Sequence, residues 1–383
     1  MIQKETVQRF IRRPDYVFAI SLLVLGAAFS AAHVYDVSML PTRIVESLDS
    51  CNTPEREDKL ECLDTLASGL VKKFTFPQID RVLLASGADC HDLMHFVAQK
   101  EYQRTKDIAR IYGLCSFSCF GACYHGGIEG YAANEQNLGK PVEEIAQSLA
   151  SACPTISMYG QCVHGVGHAL MFLSGDMFQS LKWCDLFPIE QRETCYEGTF
   201  MENMPSSRLS PHPPVAIDPN DPLYPCSVLN VEYRETCYAF QASHFMVVSN
   251  GNVLAAARLC ERVPDSYAAI CFKRIGSSLF GKTPRETQDG CSTIGNKRYR
   301  EFCTRGIVDS FGDRFGGVPA ELTKALDFCA GVPEESKGGC FEQAGFVLQK
   351  FLPHPSVQKQ CEQVADPISR ARCMQGISMR NPI

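Results

Sequence analysis

The chain has 383 residues, 45% of them apolar, a net charge of -6 and 20 cysteines. That apolar share is enough for a large buried core, and the lack of a basic surplus or of a Lys/Arg run interleaved with aromatics argues against nucleic acid as a partner. Cysteines in this number and at regular spacing point to an oxidising compartment, because cytosolic reductants would leave such thiols unpaired.

Residues 1–15 form a basic segment with Lys4, Arg9, Arg12 and Arg13, followed by the apolar run Tyr16 to Tyr35. The run is long enough to cross a bilayer as a helix, and the charges before it favour the cytoplasmic side. The reading is a transmembrane signal-anchor over 16–35, which puts the chain at the cell membrane as a single-pass protein with its bulk extracytoplasmic, periplasmic or extracellular. The small residues Ser30, Ala31 and Ala32 give the alternative, a cleaved signal peptide and secretion.

Beyond the anchor the cysteines set the organisation. Cys51 and Cys62 form a first pair; Cys90, Cys115, Cys119 and Cys123 allow several connectivities, with two disulfides among them expected and thiolates serving a metal as the alternative. Cys153 and Cys162 form a shorter pair. Six pairs then recur with ten or eleven residues between partners: Cys184 with Cys195, Cys226 with Cys237, Cys260 with Cys271, Cys291 with Cys303, Cys329 with Cys340, and Cys361 with Cys373. Between partners lie segments such as ERVPDSYAAI and AGVPEESKGG, in which proline beside an acid marks a first helical turn. A first helix therefore ends near the first cysteine, and a second starts at the Pro/Asp and carries its cysteine about two turns in. The unit is an αα-hairpin stapled by a disulfide, worth about 2–3 kcal/mol through restriction of the unfolded chain. First cysteines recur every 31 to 42 residues, roughly, the period of stacked helical hairpins. The predicted fold is all-α, a solenoid-like array, with residues 36–175 carrying the histidine-rich repeats and 176–383 the regular cysteine-paired ones.

Aligning the second helices on their cysteines exposes the chemistry. The second residue after the cysteine is His125, His164, Glu197, Ala239, Lys273 and Arg305 in successive repeats, so imidazoles are confined to the early ones. Four residues further lie Glu129 and His168, giving H-x-x-x-E on one helix and H-x-x-x-H on the next, with a further pair, His91 and His95, upstream. Side chains four apart share a helix face. Positions two and six lie about 200° and 240° around the helix from the cysteine, so these groups point away from the staple, toward a neighbouring repeat or the concave surface. His91 and His95 fall at positions one and five instead. Gly126, Gly127, Gly165 and Gly167 permit close helix approach.

His91, His95, His125, Glu129, His164 and His168 are thus the candidate metal ligands, neutral imidazole at helical spacing being a common ligand arrangement for borderline cations. With the cysteines oxidised, nitrogen and oxygen donors remain, which favours a divalent metal such as Zn, Cu or Fe; five histidines and a glutamate suffice for two ions. Glu129 and Glu202 are candidate general bases beside a metal-activated water, and Glu197 a further carboxylate. His244 reads as structural, and His33 and His212 fall outside the set. The proline-rich stretch Pro205 to Pro225 reads as a cover or a linker. The sequence holds no G-x-S-x-G elbow, phosphate-cradling loop or dinucleotide fingerprint. Two functions follow: a membrane-anchored metal-binding protein, acting as a metal-dependent hydrolase or oxidoreductase, or a non-enzymatic scaffold that binds a protein or peptide along its repeats.

Overall fold

Proline and short polar caps start the helices where the sequence places them. Pro188, Pro264 and Pro333 stand at the N-caps of three long helices, each with an acid in its first turn. The side chains of Asp176, Asn252 and Asp366 cap three others by accepting from backbone N–H groups. The computed structural model describes residues 42, 44–48, 50–51, 56–86, 90–116, 118–156, 158–204, 216–279, 289–315 and 318–379. The basic segment and the proposed anchor at 16–35 lie outside the described residues, as do His33 and His212. Among the described residues no helix is long and apolar enough to cross a membrane.

The described helices, in chain order, are α1 (Arg56–Lys73), α2 (Phe76–Ser86), α3 (His91–Thr105), α4 (Ile108–Leu114), α5 (Ala122–Asn137), α6 (Val142–Ala152), α7 (Tyr159–Ser174), α8 (Met177–Cys184), α9 (Ile189–Asn203), α10 (Val231–Val248), α11 (Val253–Cys260), α12 (Asp265–Ser277), α13 (Lys297–Phe315), α14 (Pro319–Leu322), α15 (Lys324–Gly331), α16 (Glu334–Phe351), α17 (His354–Glu362) and α18 (Pro367–Ile377). The protein is all-helical over these residues, apart from one isolated bridge between Asp218 and Asp221. The long helices α1, α3, α5, α7, α9, α10, α12, α13, α16 and α18 each pack against the next in that order, and short helices such as α8, α11 and α17 pack back on their own hairpin partners. The array also curls, because the 3-10 turn Ser118–Gly121 meets α13.

All 20 cysteines are disulfide-bonded. The six regular pairs form as their spacing implies. Cys184 bonds to Cys195, Cys226 to Cys237, and Cys260 to Cys271. Cys291 bonds to Cys303, Cys329 to Cys340, and Cys361 to Cys373. In each of these pairs the second cysteine lies inside a long helix, with Cys237 on α10, Cys271 on α12, Cys303 on α13, Cys340 on α16 and Cys373 on α18, as the hairpin reading requires. Cys195 holds the same place on α9. The earlier pairs, Cys51 with Cys62 and Cys153 with Cys162, form as well. The four irregular cysteines pair as Cys90 with Cys119 and Cys115 with Cys123. Cys90 is the N-cap of α3 and bonds forward to the 3-10 turn, so it is not the second cysteine of a hairpin.

Glycines set how close the long helices come. A Cβ on Gly167 would fall on the Cys195 carbonyl oxygen and one on Gly198 on that of His164, so α7 and α9 touch backbone to backbone. The same reciprocal contact joins α12 to α13 through Gly276 and Gly306, and α16 to α18 through Gly345 and Gly376. Gly126 stands likewise against the His95 carbonyl between α5 and α3. This approach lets short side chains from neighbouring helices reach a common centre.

Candidate metal centre

Four consecutive long helices supply the site: α3 carries His91 and His95, α5 carries His125 and Glu129, α7 carries His164 and His168, and α9 carries Glu197 and Glu202. All five sequence-predicted histidines converge, together with both candidate carboxylates. His91 and His95 join despite their different register, because Cys90 caps their helix instead of lying within it and so does not share the phase of the other second cysteines.

Hydrogen bonds fix the tautomers of His91, His95 and His168. His95 Nδ1 lies 2.9 Å from Glu129 Oε2, and His168 Nδ1 lies 2.6 Å from Glu202 Oε1. A carboxylate accepts, so Nδ1–H donates in both rings and Nε2 is left as an acceptor. His91 Nδ1 donates to the Cys119 carbonyl at 2.9 Å, which leaves its Nε2 an acceptor too. His164 Nδ1 faces the Glu197 carboxylate at 3.7 Å. Two acceptors therefore face each other at His95 Nε2 and His91 Nε2, 3.2 Å apart, while His168 Nε2 lies 3.1 Å from His164 Nε2. The lone pairs of His91 and His95 repel at that distance unless a cation lies between them. Two nitrogens held tetrahedrally at the usual Zn–N length are about 3.4 Å apart, close to both observed separations.

His125 sits between the pairs. Its ring stacks on His168 with centroids 4.6 Å apart and lies 4.7 Å from His164, 5.4 Å from His95 and 6.0 Å from His91. Only 2% of it is exposed, and its Nδ1 is buried without a hydrogen-bond partner. Glu129 Oε1 is buried in the same way, its other oxygen accepting from both His95 and the Gln99 amide. Orphaned buried groups of this kind cost about 1–3 kcal/mol each unless something binds them. Candidate ligand atoms of His91, His95 and His125 lie within 4.8 Å of one another, as do those of His125, His164 and His168, and those of Glu129, His168 and Glu202.

Burial keeps the rings of His91, His125 and His168 neutral. Burial pushes His91 down to about 4, helped by the neighbouring His95. It pushes His168 down to about 4 against the opposing pull of its hydrogen bond to Glu202. His125 is driven well below the ordinary imidazole value by burial and by the four surrounding imidazoles, His168 foremost. At Glu129 burial acts upward, but the charge and hydrogen bond of His95 outweigh it and hold the carboxyl below its usual range. Neutral imidazoles backed by ionised carboxylates are the form a metal ion requires.

Three groups in or beside the site escaped the sequence reading. Gln99 continues the four-residue period of His91 and His95 and was visible in that spacing. Asn203 bonds both backbone polar groups of Ala216, and Gln241 donates to the Pro222 and Tyr224 carbonyls. The described end of the proline-rich stretch is therefore fastened next to Glu202; residues 205–215 lie outside the described residues. His244, on α10, joins none of the ligand groups. Its Nδ1 is buried without a partner and burial lowers its pKa.

No protein-family model, no curated protein and no solved structure matches this chain.

Proposed function

We propose that the chain is an extracytoplasmic metalloprotein in which His91, His95, His125, His164 and His168, oriented by Glu129 and Glu202, bind a divalent transition metal within an array of disulfide-stapled helical hairpins. The observation that carries this reading is the opposition of two Nε2 acceptors at His91 and His95, 3.2 Å apart, with a hydrogen-bond acceptor at the Nδ1 of each ring. With every cysteine oxidised, the donors are nitrogen and oxygen, which suits Zn, Cu(II) or non-haem Fe and disfavours iron–sulfur clusters. The disulfides support the oxidising compartment, and the apolar run at 16–35 supplies the membrane tether in this reading.

The chemistry proposed at the centre is metal-dependent hydrolysis or oxidation. Glu129 and Glu202 hold the Nδ1 protons of their histidines, which strengthens the opposite nitrogens as ligands. Glu129 Oε1 is the carboxylate oxygen left to accept a proton from a reacting group. The test is metal content: full-length protein made in an oxidising host, exchanged against Zn, Cu or Fe salts and freed of loose ions, retains stoichiometric metal by inductively coupled plasma mass spectrometry. Substoichiometric retention of all three overturns the reading.

A further inference from the structure

We infer that the cluster is built for two metal ions, one on each His-x-x-x-His turn, with His125 shared between them; this rests on the metal-binding reading above. Two ligand atoms on one ion at the usual 2.0–2.1 Å cannot lie more than about 4.2 Å apart. The five imidazoles do not form a single set even within 4.8 Å. They form two triplets, one of His91, His95 and His125 and one of His125, His164 and His168, with only His125 in common. A single ion therefore reaches one triplet and leaves the other without a metal.

Each half also has its own complete apparatus. In both, the Nε2 atoms of two histidines four residues apart lie face to face, and a glutamate 34 residues beyond the second histidine accepts a hydrogen bond from its Nδ1. The first half is His91, His95 and Glu129, the second His164, His168 and Glu202. A repeat of the scaffold alone would not preserve this, since α12 and α13 keep the glycine contact and the disulfides without any histidine. The halves meet at His125, which is buried, partnerless at Nδ1 and stacked on His168. The two nitrogens of an imidazole diverge from each other, so this one ring can serve both ions once its N–H proton is released to solvent on binding.

The experiment loads the full-length protein with Cu(II) alone and reads bound copper per chain beside the electron paramagnetic resonance spectrum. The expected result is two ions per chain with the low-temperature signal weakened by antiferromagnetic coupling through the shared imidazolate. The paired variants His91→Ala/His95→Ala and His164→Ala/His168→Ala then each retain one ion with a sharp, uncoupled signal. One ion per chain in the unaltered protein overturns the two-ion inference and leaves the metal-binding reading standing. No bound ion with Cu(II) or with Zn overturns both. Two ions retained by either paired variant overturns the assignment of one ion to each turn. The unaltered protein alone decides the stoichiometry should a variant fail to fold.

Discussion

The α7/α9 pair and the α12/α13 pair share one scaffold and differ in what they present. Both are joined by reciprocal glycine-to-carbonyl contacts, and in both each long helix is stapled by a disulfide to the segment before it. On α12, α13 and α16 the face that carries the histidines earlier in the chain holds balanced charges: Lys273 pairs with Asp309 at 3.2 Å, and Glu342 accepts from Arg305 at 3.1 Å and from Arg372 at 3.2 Å. On α3, α5, α7 and α9 it holds imidazoles and carboxylates, rich in acceptors and poor in donors. The scaffold is thus indifferent to what it presents, and in the proposed reading the histidine face is the one that takes up a cation.

The largest expected effect tests the shared scaffold. Gly198→Ala and Gly306→Ala each drive a methyl group into a backbone carbonyl that cannot swing aside, so each should lower stability to denaturant by about 3 kcal/mol, the upper end of overpacking costs. Only Gly198→Ala should also weaken metal retention, because its clash falls on His164. Equal loss of metal in both variants would erase the distinction between the two regions.

Metal should stabilise the histidine region alone. With free metal at a hundredfold its dissociation constant, the gain is about 2.7 kcal/mol, read as a rise in melting temperature that a chelator reverses. Arg305→Met, which disturbs the later ion pairs, should leave that rise intact, whereas His164→Ala/His168→Ala should diminish it. A chelator-insensitive melting temperature in the metal-loaded protein would break the comparison.

Glu202→Gln sharpens it further. The amide keeps the shape but loses the charge that fixes the His168 tautomer, and metal affinity should fall about 10- to 100-fold with little change in helicity. Titration with a competing chelator measures this; an unchanged affinity would place Glu202 outside the centre's chemistry.

The smallest effect concerns pH in the metal-free protein. His91 and His168 titrate near 4 when folded, against an ordinary imidazole value of 6.5, so between these limits the unfolded chain binds more protons than the folded one. Stability is fully present above about 6.5 and is lost as pH falls toward 4. From pH 7.5 to 6 the loss should be less than about 1 kcal/mol per histidine, seen in denaturant midpoints. In the double variant His91→Ala/His168→Ala the pH slope over this window should flatten.

Much of this was legible in the sequence because it depends on local periods. The hairpins followed from cysteine spacing and proline, and the histidine pairs from the four-residue helical repeat. The register of His91 and His95 was not, since counting from Cys90 assumes a cysteine inside the helix and Cys90 stands at its cap. The pairing of the four irregular cysteines and the carboxylate–imidazole bonds from His95 to Glu129 and His168 to Glu202 depend on how closely two helices approach. Gly126 and Gly167 signalled that closeness without its direction.

X-ray absorption at the metal edge of the Zn-loaded protein tests the central claim most directly. The account predicts nitrogen and oxygen scatterers at about 2.0–2.1 Å with the outer-shell pattern of several imidazoles. A sulfur shell near about 2.3 Å, or a water-like shell without imidazole scattering, would contradict it.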